Sequence, residues 1–181
     1  MLDQFRRRGV PCLDADTLAH GVMAAGTETT QAIAARFGAE VLPADGGVDR
    51  TKLGPIVFAD AAARRDLEAI VHPAVYRAVT AGLRAFELLG GSPLAMVDVP
   101  LLYETGHSAD FDRVIVAACP LDVQMQRLVR RGMTEAEAHQ RLDAQWPTNE
   151  KASRADFVIK TDGSYEETDQ QVERIFQNLR I

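Results

Sequence analysis

Four short apolar runs set the frame for this chain. Residues 10–14, 94–99 (L-A-M-V-D-V), 113–118 (R-V-I-V-A-A) and 156–160 (D-F-V-I-K) are continuous in polarity, not alternating. A strand with one wet face alternates, whereas a strand covered on both faces does not. Long stretches of helical pattern separate the four runs. Strands that alternate with helices specify a parallel sheet with helices on its faces. The expected fold class is therefore α/β, a parallel sheet flanked by helices.

The helical stretches carry their own punctuation. Leu2 to Arg8 reads as a helix tail closed by Gly9, and Asp16 to Met23 as a helix ending near Gly26. Thr27 to Phe37 precedes Gly38, and Asp49 to Phe58 and Ala61 to Val71 follow. Pro73 is expected to open a new helix running to about Leu89, where Gly90, Gly91 and Ser92 break it. Pro120 opens a helix to about Arg131. Thr134 caps the next, with Glu137 placed to complete a capping box. Glu166 to Leu179 is the last helix. The helices within 17–89 far exceed one crossover and are expected to form an inserted helical subdomain that recognises a substrate.

Composition narrows the function. The 181 residues fit a single domain. A net charge of −6 argues against a nucleic-acid partner, which needs a basic face. No apolar run reaches the ~18 residues of a membrane span, so no membrane partner is expected. Arg6, Arg7 and Arg8 are not followed by the apolar segment of a signal peptide, and the expected location is cytoplasmic. Cys12 and Cys119 form no C-x-x-C pair and read as buried, reduced thiols. Arg127, Arg130, Arg131, Arg141, Lys151 and Arg154 gather in the last third, either as a solvated helical face or as a local pocket for a phosphorylated small molecule.

Carboxylates mark the strand ends, where ligands bind in open parallel sheets. Asp14 and Asp16 stand where the first strand gives way to a helix. A carboxylate there can take a proton from a hydroxyl or hold magnesium through water. It can also simply cap the helix. Asp98 lies inside an apolar strand, where a charge must be paired or metal-linked. Pro100 stops that strand, and Leu101, Leu102, Tyr103 and Glu104 form its exit. Glu104 reads equally as a ligand contact or a helix-start carboxylate. His72, before Pro73, reads as a helix cap or a functional group.

Taken together these stretches resemble the dephospho-coenzyme A kinase family, P-loop kinases of a small molecule. The resemblance rests on G-V-P-C-L-D-A-D-T-L-A-H, R-F-G-A-E-V-L, D-R-T-K-L-G-P-I-V-F-A-D, R-R-D-L-E-A-I-V-H-P, V-P-L-L-Y-E-T-G, Q-R-L-V-R-R-G-M-T-E-A-E-A-H-Q-R-L-D-A-Q and A-D-F-V-I-K-T-D-G-S, in order and over essentially the whole chain. It implies ATP and Mg2+, with transfer of the γ-phosphoryl to the ribose 3′-hydroxyl of dephospho-coenzyme A as the small-molecule acceptor. It implies one kinase-like domain over 1–181, with acceptor binding in about 17–89 and a lid over about 127–150. By the same resemblance Asp16 is the general base, and Arg141 and Arg130 stabilise the transferring phosphoryl group. Asp14, His72, Leu101 and Glu104 hold the acceptor. Arg127, Arg131 and Thr161 hold the nucleotide, although the family often has Asn where Thr161 stands. Asp98 positions the metal through water.

The family's front strand and its G-x-x-x-x-G-K-[ST] loop would lie ahead of Met1. The resemblance thus implies that the first, central strand of the sheet is missing. It also implies that the chain is N-terminally truncated and inactive as it stands. Two other readings are a kinase of a different small metabolite and a non-catalytic module that binds a coenzyme A-like nucleotide. The D-A-D-x-x-A-H and P-L-L-Y-E elements argue against the first of these.

Overall fold

A computed structural model describes residues 1–43 and 46–179. Residues 44 and 45, inside the expected acceptor subdomain, and 180 and 181, at the end of the expected 1–181 domain, lie outside it. The strands are β1 (Cys12–Asp14), β2 (Met96–Asp98), β3 (Ile115–Ala118) and β4 (Phe157–Lys160). The helices are α1 (Leu2–Arg6), α2 (Ala15–Val22), α3 (Glu28–Phe37), α4 (Arg50–Ala59), α5 (Ala61–Leu89), α6 (Leu121–Arg130), α7 (Glu135–Asp143), α8 (Thr148–Arg154) and α9 (Tyr165–Leu179).

All strand pairing is parallel, as the continuous apolar runs require. The expectation of one four-stranded sheet is corrected. β1 pairs only with β2 and β3 only with β4, giving two two-stranded sheets. A ladder needs a neighbouring strand about 4.8 Å away. Among the described residues no further strand pairs with either sheet.

The chain divides into two compact units, essentially Gly9–Val99 and Pro100–Ile181 with Asp3–Arg8. In the first, α2 and α5 cover β1 and β2. Ala15, Val75 and Val79 are buried there, with Leu13, Leu83 and Val97 packed around them. Gly82 lets α5 come down onto β1: a Cβ at that position would lie 2.8 Å from a methyl of Leu13. A second cluster joins Ile33, Phe37, Val41, Leu53 and Ala63, with Leu67, Ile70 and Val71 against it.

Pro73 does not begin a helix; α5 runs through it for 29 residues. Proline lacks an N–H and crowds the carbonyl four residues back, so the helix loses one ladder bond at Ala69. Both flanks are held by packing, and Val71 belongs to both clusters. Tertiary burial thus outweighs the local penalty. The correction extends to His72, which sits mid-helix and half-buried and is not a cap.

In the second unit α9 docks through Val172, Ile175 and Phe176, all buried. Arg8, 15% exposed, grips α9 by donating to Asp169 at 3.0 Å and Glu173 at 2.7 Å. The capping box at Thr134 forms as its spacing requires, with Glu137 accepting the Thr134 N–H at 2.8 Å.

Candidate active site

The carboxyl ends of β1 and β2 place acidic groups together. The parallel register sets Asp14 beside Asp98. Asp14 is the N-cap of α2, and its side chain accepts the Thr17 N–H at 2.8 Å. The capping alternative therefore holds for Asp14. Asp16 falls in the first turn of α2, so it shares no strand face with Asp14. It is exposed and has no hydrogen-bond partner among the described residues. Of the two, Asp16 is the carboxylate with both oxygens free for a ligand.

Asp98 is open to solvent on one side and crowded by protein on the other. That partial desolvation, followed by the charges of Asp14 and Asp16, raises its carboxyl above the ordinary value. Such a concentration of carboxylates suits a cation. Magnesium keeps several waters and takes few protein ligands. Among the described residues, no three His, Cys, Asp or Glu side chains converge to hold an ion by themselves. The residues therefore fit a water- and phosphate-held magnesium near Asp98, and not a cage of protein ligands.

In the other unit the basic residues divide. Arg127 on α6 bonds the Thr161 hydroxyl at 3.1 Å and the Thr161 carbonyl, and approaches the Cys119 sulfur at 3.6 Å. It thereby joins the ends of β3 and β4, bringing together two of the expected nucleotide residues. Arg130, Arg131 and Arg141 are exposed, at the ends of α6 and α7, and make no ion pair among the described residues. Cationic groups held near helix ends with no internal partner are free to meet an external anion.

A cavity of about 410 Å³ opens at the end of β3. Its walls include Cys119, Gln124, Leu142, Trp146 and Asn149. Apolar surface with a few amide groups is the usual lining of a small-molecule site.

The loop after β2 carries Leu101, 36% exposed, and Glu104, which points inward. Glu104 accepts from Lys151 at 2.6 Å and from the Trp146 N–H at 2.8 Å. Burial acts to raise its carboxyl, but the Lys151 and Trp146 bonds outweigh it and hold the group below the usual glutamate range. Lys151 was visible in the sequence only as one more basic residue, Tyr103 only as part of the 101–104 loop expected to hold the acceptor, and Trp146 carried no mark of a role. Glu104 and Lys151 are far apart along the chain, and no spacing rule pairs such groups.

Comparison with known proteins gives the family and the fold. A family model described as dephospho-CoA kinase matches residues 1–167. A dephospho-CoA kinase of Anaeromyxobacter dehalogenans is 50% identical over 180 residues, covering 97% of this chain and 83% of that protein. A crystal structure from Thermus thermophilus superposes with a TM-score of 0.81 at 31% identity, covering 98% of this chain and 89% of the other. The dephospho-CoA kinase from Campylobacter jejuni gives a TM-score of 0.72 at 26% identity, covering 99% and 89%.

Proposed function

The chain belongs to the dephospho-CoA kinase family, and from that premise we propose how its residues divide the work of an ATP-dependent phosphotransferase. The reaction moves the γ-phosphoryl group of ATP to the ribose 3′-hydroxyl of dephospho-CoA. The carrying observation is the acidic strand ends: Asp14 and Asp98 in register, with exposed Asp16 one step into α2. Asp16 orients the acceptor hydroxyl and takes its proton. Asp14 holds the start of α2 and so fixes where Asp16 stands. Asp98 holds magnesium through water. The metal, when bound, neutralises charge on the phosphates.

The helices of 17–89, with His72, serve the acceptor, as does Leu101 on its loop. Arg127 and Thr161 serve the nucleotide base. Arg130, Arg131 and Arg141, on the 127–150 lid, meet the phosphates. Phosphoryl transfer spreads charge over three oxygens, and such catalysis is mostly positioning and charge stabilisation.

These 181 residues hold no G-x-x-x-x-G-K-[ST] loop. The test is therefore run on the chain alone and with such a loop joined ahead of Met1. The loop supplies backbone amides and a lysine to the phosphates, so the loop-bearing form should be much the faster. Incubated with ATP and dephospho-CoA, it should form CoA, and a 3′-deoxy acceptor should remain unmodified. Phosphorylation of the 3′-deoxy acceptor would refute the assignment of the hydroxyl. Equal turnover by both forms would show that nucleotide binding here does not depend on the loop.

A further inference from the structure

Glu104 and Lys151 are each only 13% exposed. One carboxylate oxygen of Glu104 takes both the Lys151 ammonium, at 2.6 Å, and the backbone N–H of Trp146, at 2.8 Å. Lys151 also donates to the Pro100 carbonyl at 3.3 Å. The Tyr103 ring stacks on Trp146 at 6.1 Å with 12° between the planes. The Arg154 guanidinium lies 4.7 Å from the centre of the indole. The Lys151 contacts tie the loop after β2 to α8, while the Glu104 bond to the Trp146 backbone N–H, the Tyr103 stack and the Arg154 contact converge on Trp146 in the α7–α8 connection.

The second Glu104 oxygen and the Tyr103 hydroxyl are buried with no hydrogen-bond partner among the described residues. Such atoms are unfavourable, and a cluster that tolerates them is not arranged for stability alone. The cluster fixes a residue that matters to the site: Trp146 is a wall of the cavity at the end of β3. Helix α7, whose last turn carries Arg141, leads directly into it.

We infer that Glu104 is a positioning residue, which through Lys151 and Trp146 fixes the α7–α8 connection and so sets where Arg141 can meet the phosphates. It touches no substrate. The kinetic consequence rests on the kinase reading above; the latch itself does not.

Trp146 is the chain's one tryptophan, so its emission reads the latch without turnover. In Glu104→Ala the emission should shift to the red and become easier to quench with acrylamide. In the loop-bearing form the same variant should lower kcat about tenfold or more with KM for dephospho-CoA unchanged, since misplacing catalytic groups by about 1 Å has effects of this size or larger. Glu104→Gln keeps an acceptor for the Trp146 N–H and should recover the emission and much of kcat. Lys151→Met removes the cation while keeping a similar stem, and decides the matter if Glu104→Ala does not fold. A raised KM for dephospho-CoA with kcat preserved would make Glu104 an acceptor contact and overturn the inference. So would unchanged emission and unchanged kcat. If no form transfers phosphoryl, the kinase reading fails alone, and the emission still decides the latch.

Discussion

Asp14 and Asp16 are two residues apart, yet one caps α2 and the other is an exposed carboxylate in its first turn, and substitution can pull their proposed roles apart. Asp14 accepts the Thr17 N–H at 2.8 Å and caps α2. Replacing a capping Asp by Ala costs about 1 kcal/mol, whereas Asn caps as well as Asp. Asp14→Ala should therefore lower stability by about 1 kcal/mol, and Asp14→Asn by a few tenths at most. With a urea slope of about 2 kcal/mol/M, the first moves the midpoint down by about 0.5 M and the second hardly at all. Asp16 accepts no bond, and its only stabilising term is its place in the first turn of α2, worth about 0.5 kcal/mol at an exposed site. Its loss should appear in turnover. Asp16→Asn in the loop-bearing form should lower kcat about 100-fold, equivalent to about 2.7 kcal/mol of transition-state stabilisation. KM for ATP should stay within a factor of about two if the side chain serves the acceptor, as proposed. Urea melts by far-UV circular dichroism and coupled kinase assays on the same three variants decide it. Near-full turnover in Asp16→Asn, with turnover lost in Asp14→Asn, would reverse the two roles and refute the reasoning.

Ile33→Ala deletes three carbons from a fully enclosed side chain, and should lower stability by about 3.5 kcal/mol against about 1 kcal/mol for Ile33→Val; equal urea shifts for the two would show that the site is not packed. The Glu104 carboxyl lies below its ordinary value of 4.5, so the latch contributes stability at pH above that value and loses it as pH falls through the lower folded value. The Trp146 emission should accordingly stay native down to pH 4.5 and change below it. Glu104→Gln should abolish the step, and a step centred above the ordinary value would contradict the depressed group. Arg127→Leu should raise KM for ATP about tenfold with a smaller change in kcat, and an unchanged KM would remove Arg127 and Thr161 from the nucleotide site.

The punctuation of this fold was legible where the signal is local. Thr134 with Glu137 caps as the spacing directs, whereas Thr27 and Asp49, read as the first residues of their helices, are the N-caps just outside them. Apolar continuity gave the parallel strands to within two residues at each end. The pairing of those strands was not legible, because continuous apolar runs say that a strand is covered and not which neighbour covers it. Pro73 misled for a related reason: the local rule is sound, but Val71, Val75 and Val79 bury on both sides of it. The acidic strand ends were visible as a set. That Asp14 caps while Asp16 stays free depended on the position at which strand became helix, a boundary that sequence does not fix to one residue.

The interruption at Pro73 bears on how the longest helix opens. On one side Leu67 and Ile70 belong to the cluster around Ile33; on the other, Val75, Val79 and Leu83 belong to the cluster around Ala15. A helix held by two clusters that meet at Val71, with one ladder bond missing near the midpoint, has a natural seam for sub-global opening. Amide hydrogens before and after the proline would then exchange as two cooperative blocks, each protected by its own cluster. Loosening the Ile33 cluster should speed exchange in 61–71 and leave 75–83 slow, so that one continuous rod behaves in motion as two foldons.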